Sequence, residues 1–452
     1  MGDDVTVVRE LSFAAADLTS ATKGLDALLP RVAAAGITDL SVADAIFGWL
    51  SGFRPVAADA AVRLGKLDTS SLMLPVGDQV VRLRTGLEQV SPAVDALAPF
   101  LNTLSILAAP GEERTWLVIM QNLGEARPSG GLVGAWLVVK VNDGQIKVVR
   151  FGTNDELVAS GTMEYRDIMP EGYQQLWGDS LGEWASMNLS ANFPDNARLF
   201  VRGWNQRGLE HVDGVFVLGQ GTVKHLAAAT GPVQVGNRQI KAADLADYLL
   251  VGVYRDFPDP VKKDKAVAAI VAQVLSRLSG GKLDLIGFLS SALTQSTGDY
   301  LQLWSSDSTV QKRIVAAELS GKFGDTEGPI TSVRLINGGG NKLDAFAKLG
   351  VHYQLGECVV SADGLSARAS TLTVTLANTA PDGLPSYISG RSDVGGIRGP
   401  VGSNRDFVAV YAPARATITS TLMNGKEGFV HGAWIRGRDV VAGGDRRGDA
   451  VG

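Results

Sequence analysis

The chain has 452 residues, 45% of them hydrophobic and 20% charged, with a formal net charge of −5. That profile excludes a disordered chain, and the lack of any long basic run excludes duplex nucleic acid as a partner. Its single cysteine, Cys358, excludes an internal disulfide, and its length allows two or three domains.

Residues 1–110 are expected to be a helical hairpin, stalk or small bundle. Leu11, Leu18, Leu25 and Val32 recur at a heptad spacing, and Ala14, Ala21 and Leu28 follow them on the d positions. A second seam runs through Val80, Leu83, Leu87, Val90, Val94, Leu97, Leu101 and Leu104. Ser91-Pro92 reads as a cap with proline in the first turn, and Pro99 as a kink. No stretch reaches the roughly 18 apolar residues that span a bilayer. Met1-Gly2-Asp3-Asp4 lacks the basic and apolar regions of a signal peptide, so the chain itself is expected to be soluble.

The texture changes at Gly111, where a central mixed α/β domain over 111–328 is expected. Thr115–Gln121 reads as a buried strand, Asn122–Gly131 as a polar glycine-containing loop, and Leu132–Val141 as a second strand. Asn142-Asp143-Gly144 signals a hairpin into a third strand, Gln145–Phe151. Residues 152–208 read as loops and short helices. Val212–Leu218 is strand-like, Thr222–Ala229 helical up to Gly231-Pro232, and Val233–Val235 a short strand. Helical spacing recurs over Ala242–Val253, Lys263–Leu278, Leu283–Leu293 and Ser308–Leu319.

Strands dominate after Pro329: Thr331–Asn337, Leu365–Asn378, Asp406–Ala412, Ala416–Met423 and Phe429–Ile435. The simplest account is a β-sandwich over 329–437 and a flexible tail over 438–452, which makes the whole a multi-domain α+β chain.

Familiar catalytic signatures are missing. His211, His225, His352 and His431 sit at no zinc spacing, and there is neither a P-loop nor a GxSxG elbow. Carboxylates, amides, arginines and lysines remain. These can run transfers that rely on positioning and charge neutralisation. In the segment 121–131, Asn122, Glu125 and Arg127 precede Pro128-Ser129-Gly130-Gly131. An arginine on a proline-stiffened loop suits bidentate binding of phosphate or carboxylate, and glycines let backbone approach a ligand. Glu125 is placed to pair with Arg127 or to help hold a divalent cation; the plainer reading is a structural turn. Tyr254–Lys265 carries Arg255, Lys262, Lys263 and Lys265 beside Asp256, Asp259 and Asp264 at a helix start, an arrangement that suits an anion or simply a solvated face. Asp155, next to Asn154, and Asn188 in Ser186–Asp195 are candidate ligand contacts or caps. Trp177, Trp184 and Trp204 are expected in the core or lining a groove, where they can also stack on sugars.

Gln121–Gly131, Ser186–Ser190 with Phe193-Pro194, Val212–Val215 and Ala229–Val233 together resemble a bacterial family known as domain of unknown function 4012. Asn378–Pro381, Leu384–Tyr387 and Tyr411–Pro413 continue the pattern, so the resemblance spans about 80–425. It implies an extracytoplasmic, membrane-anchored protein of the cell envelope, and the 54 glycines fit a high-GC bacterium.

A more distant resemblance is to the LytR-CpsA-Psr phosphotransferases, which move glycans from polyprenyl pyrophosphate carriers to cell-wall acceptors with magnesium. It implies a central domain of that type. Arg127 matches its first arginine, Arg255 its helix-end arginine, and Asp259 with Lys262 or Lys263 its last motif. Asn122 and Glu125 stand where aspartates would bind metal, and lysines replace expected arginines. The resemblance implies a lipid-linked glycan or cell-wall polymer as partner and Mg2+ as cofactor. Arg127, Glu125 and Asp155 would be the catalytic residues. Asn122, Gly130, Gly131, Asn188, Arg255, Asp259, Lys262, Lys263 and Lys265 would bind the ligand. The alternative is a non-catalytic envelope module that binds such a polymer or scaffolds a complex, or an adhesive ectodomain. A transferase predicts Arg127, Arg255 and Lys262–Lys265 around one cleft.

Overall fold

The computed structural model describes residues 2–24, 27–28, 30–31, 40–68, 76–88, 90, 106, 113–142, 145–159, 161–280, 301–323, 330–360, 366–391, 399–427, 430–436 and 438–443. The expected helix Leu283–Leu293 and the seam positions Leu25, Val32, Val94, Leu97, Leu101 and Leu104 lie outside these residues. The chain is mixed α/β, with helices and several sheets.

Three helices open it: α1 (Gly2–Thr22), α2 (Leu40–Gly65) and α3 (Val76–Glu88). Their shared core is made of small and medium side chains: Ala14, Ala57, Ala60 and Leu64 with Val80 and Leu87, flanked by Leu11 and Leu18. Both seams thus face inward where they are described, although Leu83 is exposed. Among the described residues no helix is long and apolar enough to cross a membrane.

The central sheet has the order β3-β2-β1-β4-β7. Its strands are β1 (Arg114–Arg127), β2 (Gly130–Asn142), β3 (Gln145–Thr153), β4 (Gly214–Leu218) and β7 (Leu301–Ser305). Only β1 and β4 run parallel. Thr115–Gln121 is buried on both faces, as an uninterrupted apolar run should be. Asn142 pairs with Gln145, so two residues join β2 to β3, in line with the Asn-Asp-Gly signal.

Helices cover both faces of the sheet. Between β3 and β4 lie α4 (Asn154–Val158), α5 (Glu171–Trp177) and α6 (Phe193–Gln206). Phe193, Phe200 and Trp204 of α6, with Trp184, pack on Leu117, Ile119, Trp136 and Val138. After β4 come α7 (Gln220–Thr230), the small hairpin of β5 (Val233–Val235) and β6 (Arg238–Ile240), and α8 (Ala242–Asp247). A π turn, Tyr248–Gly252, leads from α8 into α9 (Val253–Asp256), followed by α10 (Pro260–Gly280). Val223, Leu245, Val271 and Val274 from these helices pack on Val118, Leu137 and Phe216. Past β7 lies α11 (Ser308–Ala316), capped by Asp307, whose carboxylate accepts from Thr309 N and Val310 N.

The strands expected after residue 329 form a sheet, a ribbon and a short hairpin rather than two facing sheets. The sheet is four-stranded and antiparallel, β14-β15-β11-β8, of β8 (Ser332–Asn337), β11 (Asp406–Tyr411), β14 (Val430–Ile435) and β15 (Arg438–Gly443). Its inner residues Ile336, Tyr411, Ile435 and Val440 share the core that holds Phe193 and Trp204, so the sheet packs on the central layer. The ribbon consists of β9 (Ala347–Val360) and β10 (Ser366–Asn378), exposed along nearly its whole length. Between ribbon and β11 lies the short α12 (Ser386–Ser389). Ala416–Met423, expected as a strand, contributes only β12 (Leu422–Met423), which pairs with β13 (Lys426–Glu427) across a turn with Asn424 and Gly425 both at positive φ. Arg438–Gly443, expected as tail, is an interior strand. Val440 and Ala442 are buried, and Arg438 donates to the carbonyls of Ile330 and Ala412.

The expected loop Asn122–Gly131 is instead the end of a hairpin, closed by Pro128-Ser129. Asn122 pairs with Leu132 and Ala126 with Gly131, so Leu123, Gly124 and Glu125 bulge out of β1. Gly131 is required by close backbone and Gly130 by its positive φ and the Gln121 side chain. A Cβ on Gly131 would lie 2.1 Å from the Asn122 carbonyl, and one on Gly130, at φ 133°, 1.9 Å from Gln121 Oε1. Gly131→Ala is therefore expected to destabilise the protein by about 2–4 kcal/mol, read from denaturant unfolding. A shift under about 0.5 kcal/mol would show that the hairpin yields easily.

Candidate functional site

The bulge in β1 borders a cavity of about 420 Å3. Met120, Leu132, Val133, Ala135, Leu249 and Val267 give it an apolar side. Amides from Gln121, Asn122, Asn154, Gln220 and Asn337 give it a polar one. Its cations are Arg127, Lys263, Lys342 and Arg391, and its carboxylates Glu125, Asp155, Glu183 and Asp264, so the two sets balance.

Two neighbouring tyrosines line the cavity, their rings tilted against each other. The rings of Tyr254, in α9, and Tyr387, in α12, lie 5.5 Å apart at 31°. Lys342 Nζ lies 4.4 Å from the Tyr387 centroid and 5.5 Å from that of Tyr254. Lys263 Nζ lies 5.2 Å and 5.7 Å from the Tyr254 and Tyr387 centroids. Both ammonium groups thus face ring electrons. Lys342 also pairs with Glu125, both nearly fully buried, and Lys263 pairs with Asp264.

Burial pushes the Asp264 carboxyl above its ordinary value, against the pull of Lys263. Burial, and then the Glu125 charge, hold the Tyr254 phenol well above 10; burial and Asp264 push Tyr387 up to about 12. Both tyrosines therefore act as neutral phenols. Tyr254 OH accepts from Asn122 Nδ2 at 2.6 Å, while Asn122 Oδ1 accepts from Gly124 N at 3.0 Å and Gln220 Nε2 at 3.3 Å. Arg127 Nη1 donates to the carbonyls of Ala126 (2.9 Å) and Asn337 (3.4 Å), and Arg391 Nη1 to that of Gly338 (3.1 Å).

Of the candidate site residues, Asn122, Glu125, Arg127, Asp155 and Lys263 line this cavity, with Asp155 exposed, and their neighbours Asn154 and Asp264 line it too. The others do not line it. Asn188 is fully buried and donates to the Gly131 carbonyl at 2.5 Å, and Gly130 and Gly131 close the hairpin. Arg255, Lys262 and Lys265 are exposed. Asp259 is exposed too, and accepts from Lys262 N at 2.8 Å as the cap of α10. Trp184 and Trp204 are core residues, so they offer no face to a sugar. Cys358 is exposed on the ribbon. Sequence reasoning passed over Lys342, Tyr387 and Arg391 because they lie beyond residue 329, in stretches assigned to another domain. Tyr387 ends one of the recurring motifs, which was the available signal. Among the described residues no three His, Cys, Asp or Glu converge to hold a metal ion. The Glu125 carboxylate, expected to help bind magnesium, is taken by Lys342.

A second carboxyl group array supports the bulge from behind. Asp344 Oδ2 accepts from Ala126 N (2.6 Å) and Asn337 Nδ2 (3.0 Å), and Asn404 Nδ2 bridges Asp344 (2.5 Å) and Asp406 (2.9 Å). Burial and the neighbouring Asp344 carboxylate push Asp406 up to about 9, so the pair holds a proton at neutral pH.

Two tests follow from this geometry. Glu125→Gln alone, which leaves Lys342 buried without a counter-charge, is expected to destabilise the fold by about 3–5 kcal/mol, while Glu125→Gln with Lys342→Met recovers most of that loss in denaturant unfolding. Equal losses in both variants would argue against a buried pair. The second concerns pH. A carboxyl group whose folded pKa is raised gives stability that is complete below its unfolded value and lost as pH rises through about 9. The thermal midpoint is expected to fall between pH of about 5 and about 9 more steeply than in Asp406→Asn; parallel curves would rule the shared proton out.

No protein with a curated description matches the chain. One family model does match, over residues 111–254, a shorter stretch than the motifs span. This segment, which supplies β1, β2 and Tyr254 to the cavity, carries the pattern of the family described as Protein of unknown function (DUF4012).

Proposed function

We propose that this chain is an extracytoplasmic cell-envelope module that binds the head group of a lipid-linked glycan, or an anionic wall polymer, without transferring it. One observation carries the reading: Arg127, Lys263, Lys342 and Arg391 line a single cavity together with four carboxylates, two of which pair with the lysines. Transfer from a pyrophosphate carrier needs positive charge left over for the departing group. Here Glu125 and Asp264 already neutralise the two lysines, and Arg255, Lys262 and Lys265 stand outside. Balanced charge, amides and phenols instead suit a ligand that is rich in hydroxyls and carries one anionic group, for which Arg127 is the anchor. The apolar side takes the part of the ligand nearest its carrier.

On this reading the central domain is of LytR-CpsA-Psr type, reduced to binding. The helices of 1–110 lead towards a membrane anchor, as the family resemblance implies. Calorimetry with a short-chain polyprenyl-pyrophosphate disaccharide is expected to show saturable binding, weakened about tenfold or more by Arg127→Ala. Unchanged affinity in that variant would end the proposal. Release of polyprenyl phosphate in the presence of a glycan acceptor would restore the transferase.

A further inference from the structure

Resting on the reading of the cavity as a glycan site, we propose that it selects its ligand by a secondary amide, the 2-acetamido group of an amino sugar, which docks on a free strand edge in the cavity wall. Leu132, Val133, Gly134 and Ala135 all line the cavity. Side chains alternate along a strand, so a space bordered by four residues in a row is bordered by the edge of that strand.

The ladders agree. β3 accompanies β2 only as far as the pair of Thr153 with Ala135, and the chain then turns into α4. On the other side β1 continues to Val133 and Leu132. Its register jumps from Met120 with Ala135 to Gln121 with Val133, so Gly134 is the extra residue of a bulge, opposite no residue of β1 or β3. A strand directs its N–H and C=O groups to both sides, so an edge without a neighbour offers donors and acceptors. A Cβ on Gly134 would meet only the Met120 carbonyl, at 3.7 Å, among the described residues. Packing therefore leaves room for a side chain there, and the glycine keeps the edge open to a ligand.

Two side chains complete the set. Gln121 is 3% exposed, and its Oε1 accepts from Gly131 N at 3.2 Å, which lays its amide against β2. Its Nε2 is buried and has no partner among the described residues. Asn154, which follows the last residue of β3, has a buried Oδ1 that is likewise without one. Such groups carry a desolvation cost that a matching ligand removes. A secondary amide matches them: its carbonyl accepts, its N–H donates, and the apolar side at Leu132, Ala135, Leu249 and Val267 suits the acetamido methyl.

The extent of the edge separates an amino sugar from a peptide. Only Leu132–Gly134 are free, between the pair at Ala135 and the hairpin tip, which is roughly 10 Å of strand. That is room for one amide, whereas a peptide added as a strand needs a ladder.

Calorimetry tests this with two short-chain polyprenyl-pyrophosphate disaccharides that differ only at C2, acetamido in one and hydroxyl in the other. The acetamido ligand is expected to bind about tenfold or more tighter, since the hydroxyl ligand leaves buried polar groups unmet. Gln121→Glu keeps the acceptor for Gly131 N and removes the donor; it and Asn154→Ala are each expected to cut the preference about threefold or more. The two ligands on the unaltered chain decide the matter if the variants fail to fold. Equal affinity for both would overturn this inference and leave the glycan site standing, while binding of neither would overturn the two together. A preference undiminished in both folded variants would also overturn it, as would saturable binding of acetyl-alanyl-alanine amide in place of the sugar.

Discussion

The buried pair of Glu125 and Lys342 is the contact on which the cavity depends. Two charges withdrawn from water are stable only with good geometry and further compensation. Lys342 receives this from two aromatic rings, and its backbone N–H donates to the Ile388 carbonyl at 2.9 Å. Two residues later, Asp344 accepts from the backbone N–H of Ala126. Adjacent points of the β1 bulge are thus fastened to a segment more than two hundred positions away in sequence, and the cavity exists only once the two have docked.

The motif residues work largely behind the cavity. Ser129 Oγ donates to the Asn188 carbonyl (3.3 Å), Asn196 Nδ2 to Ser129 Oγ (2.8 Å), and Asn188 Nδ2 to the Gly131 carbonyl (2.5 Å). These groups are buried and bonded to one another, as interior polar groups must be. They clamp the hairpin tip to the start of α6. Gly130 and Gly131 let the strands close, and the arginine and amides of the same hairpin are thereby held at fixed positions. A recurring residue in such a segment marks a place where the backbone cannot vary, and only some of these residues face a ligand.

The central strands and helices were legible because their apolar periods match their burial: the Thr115–Gln121 run and the helix stopped at Gly231. Part of the site was legible too, since Asn122, Glu125 and Arg127 lie within one hairpin. Around Lys263 the reading failed by rotation. In a helix, neighbours in sequence point about 100° apart, so Lys263 and Asp264 turn inward while Lys262 and Lys265 face solvent. Lys342 and Tyr387 were invisible as partners of Glu125 because no local pattern encodes a contact across that separation. Leu349, Val351, Tyr353 and Leu355 alternate plainly, but alternation states only that a strand has two unlike faces, not what lies against either. Arg438–Gly443 was misread because flanking glycines and charges mask two small buried side chains, Val440 and Ala442.

The place of β15 has a consequence for synthesis. It lies between β11 and β14, so the sheet it completes lacks its inner member until residues 438–443 have left the ribosome. The core shared by Trp204, Tyr411 and Val440 closes only then. A stop ahead of Arg438 would leave β14 without a neighbour and β11 with a bare edge, and would release an aggregation-prone product.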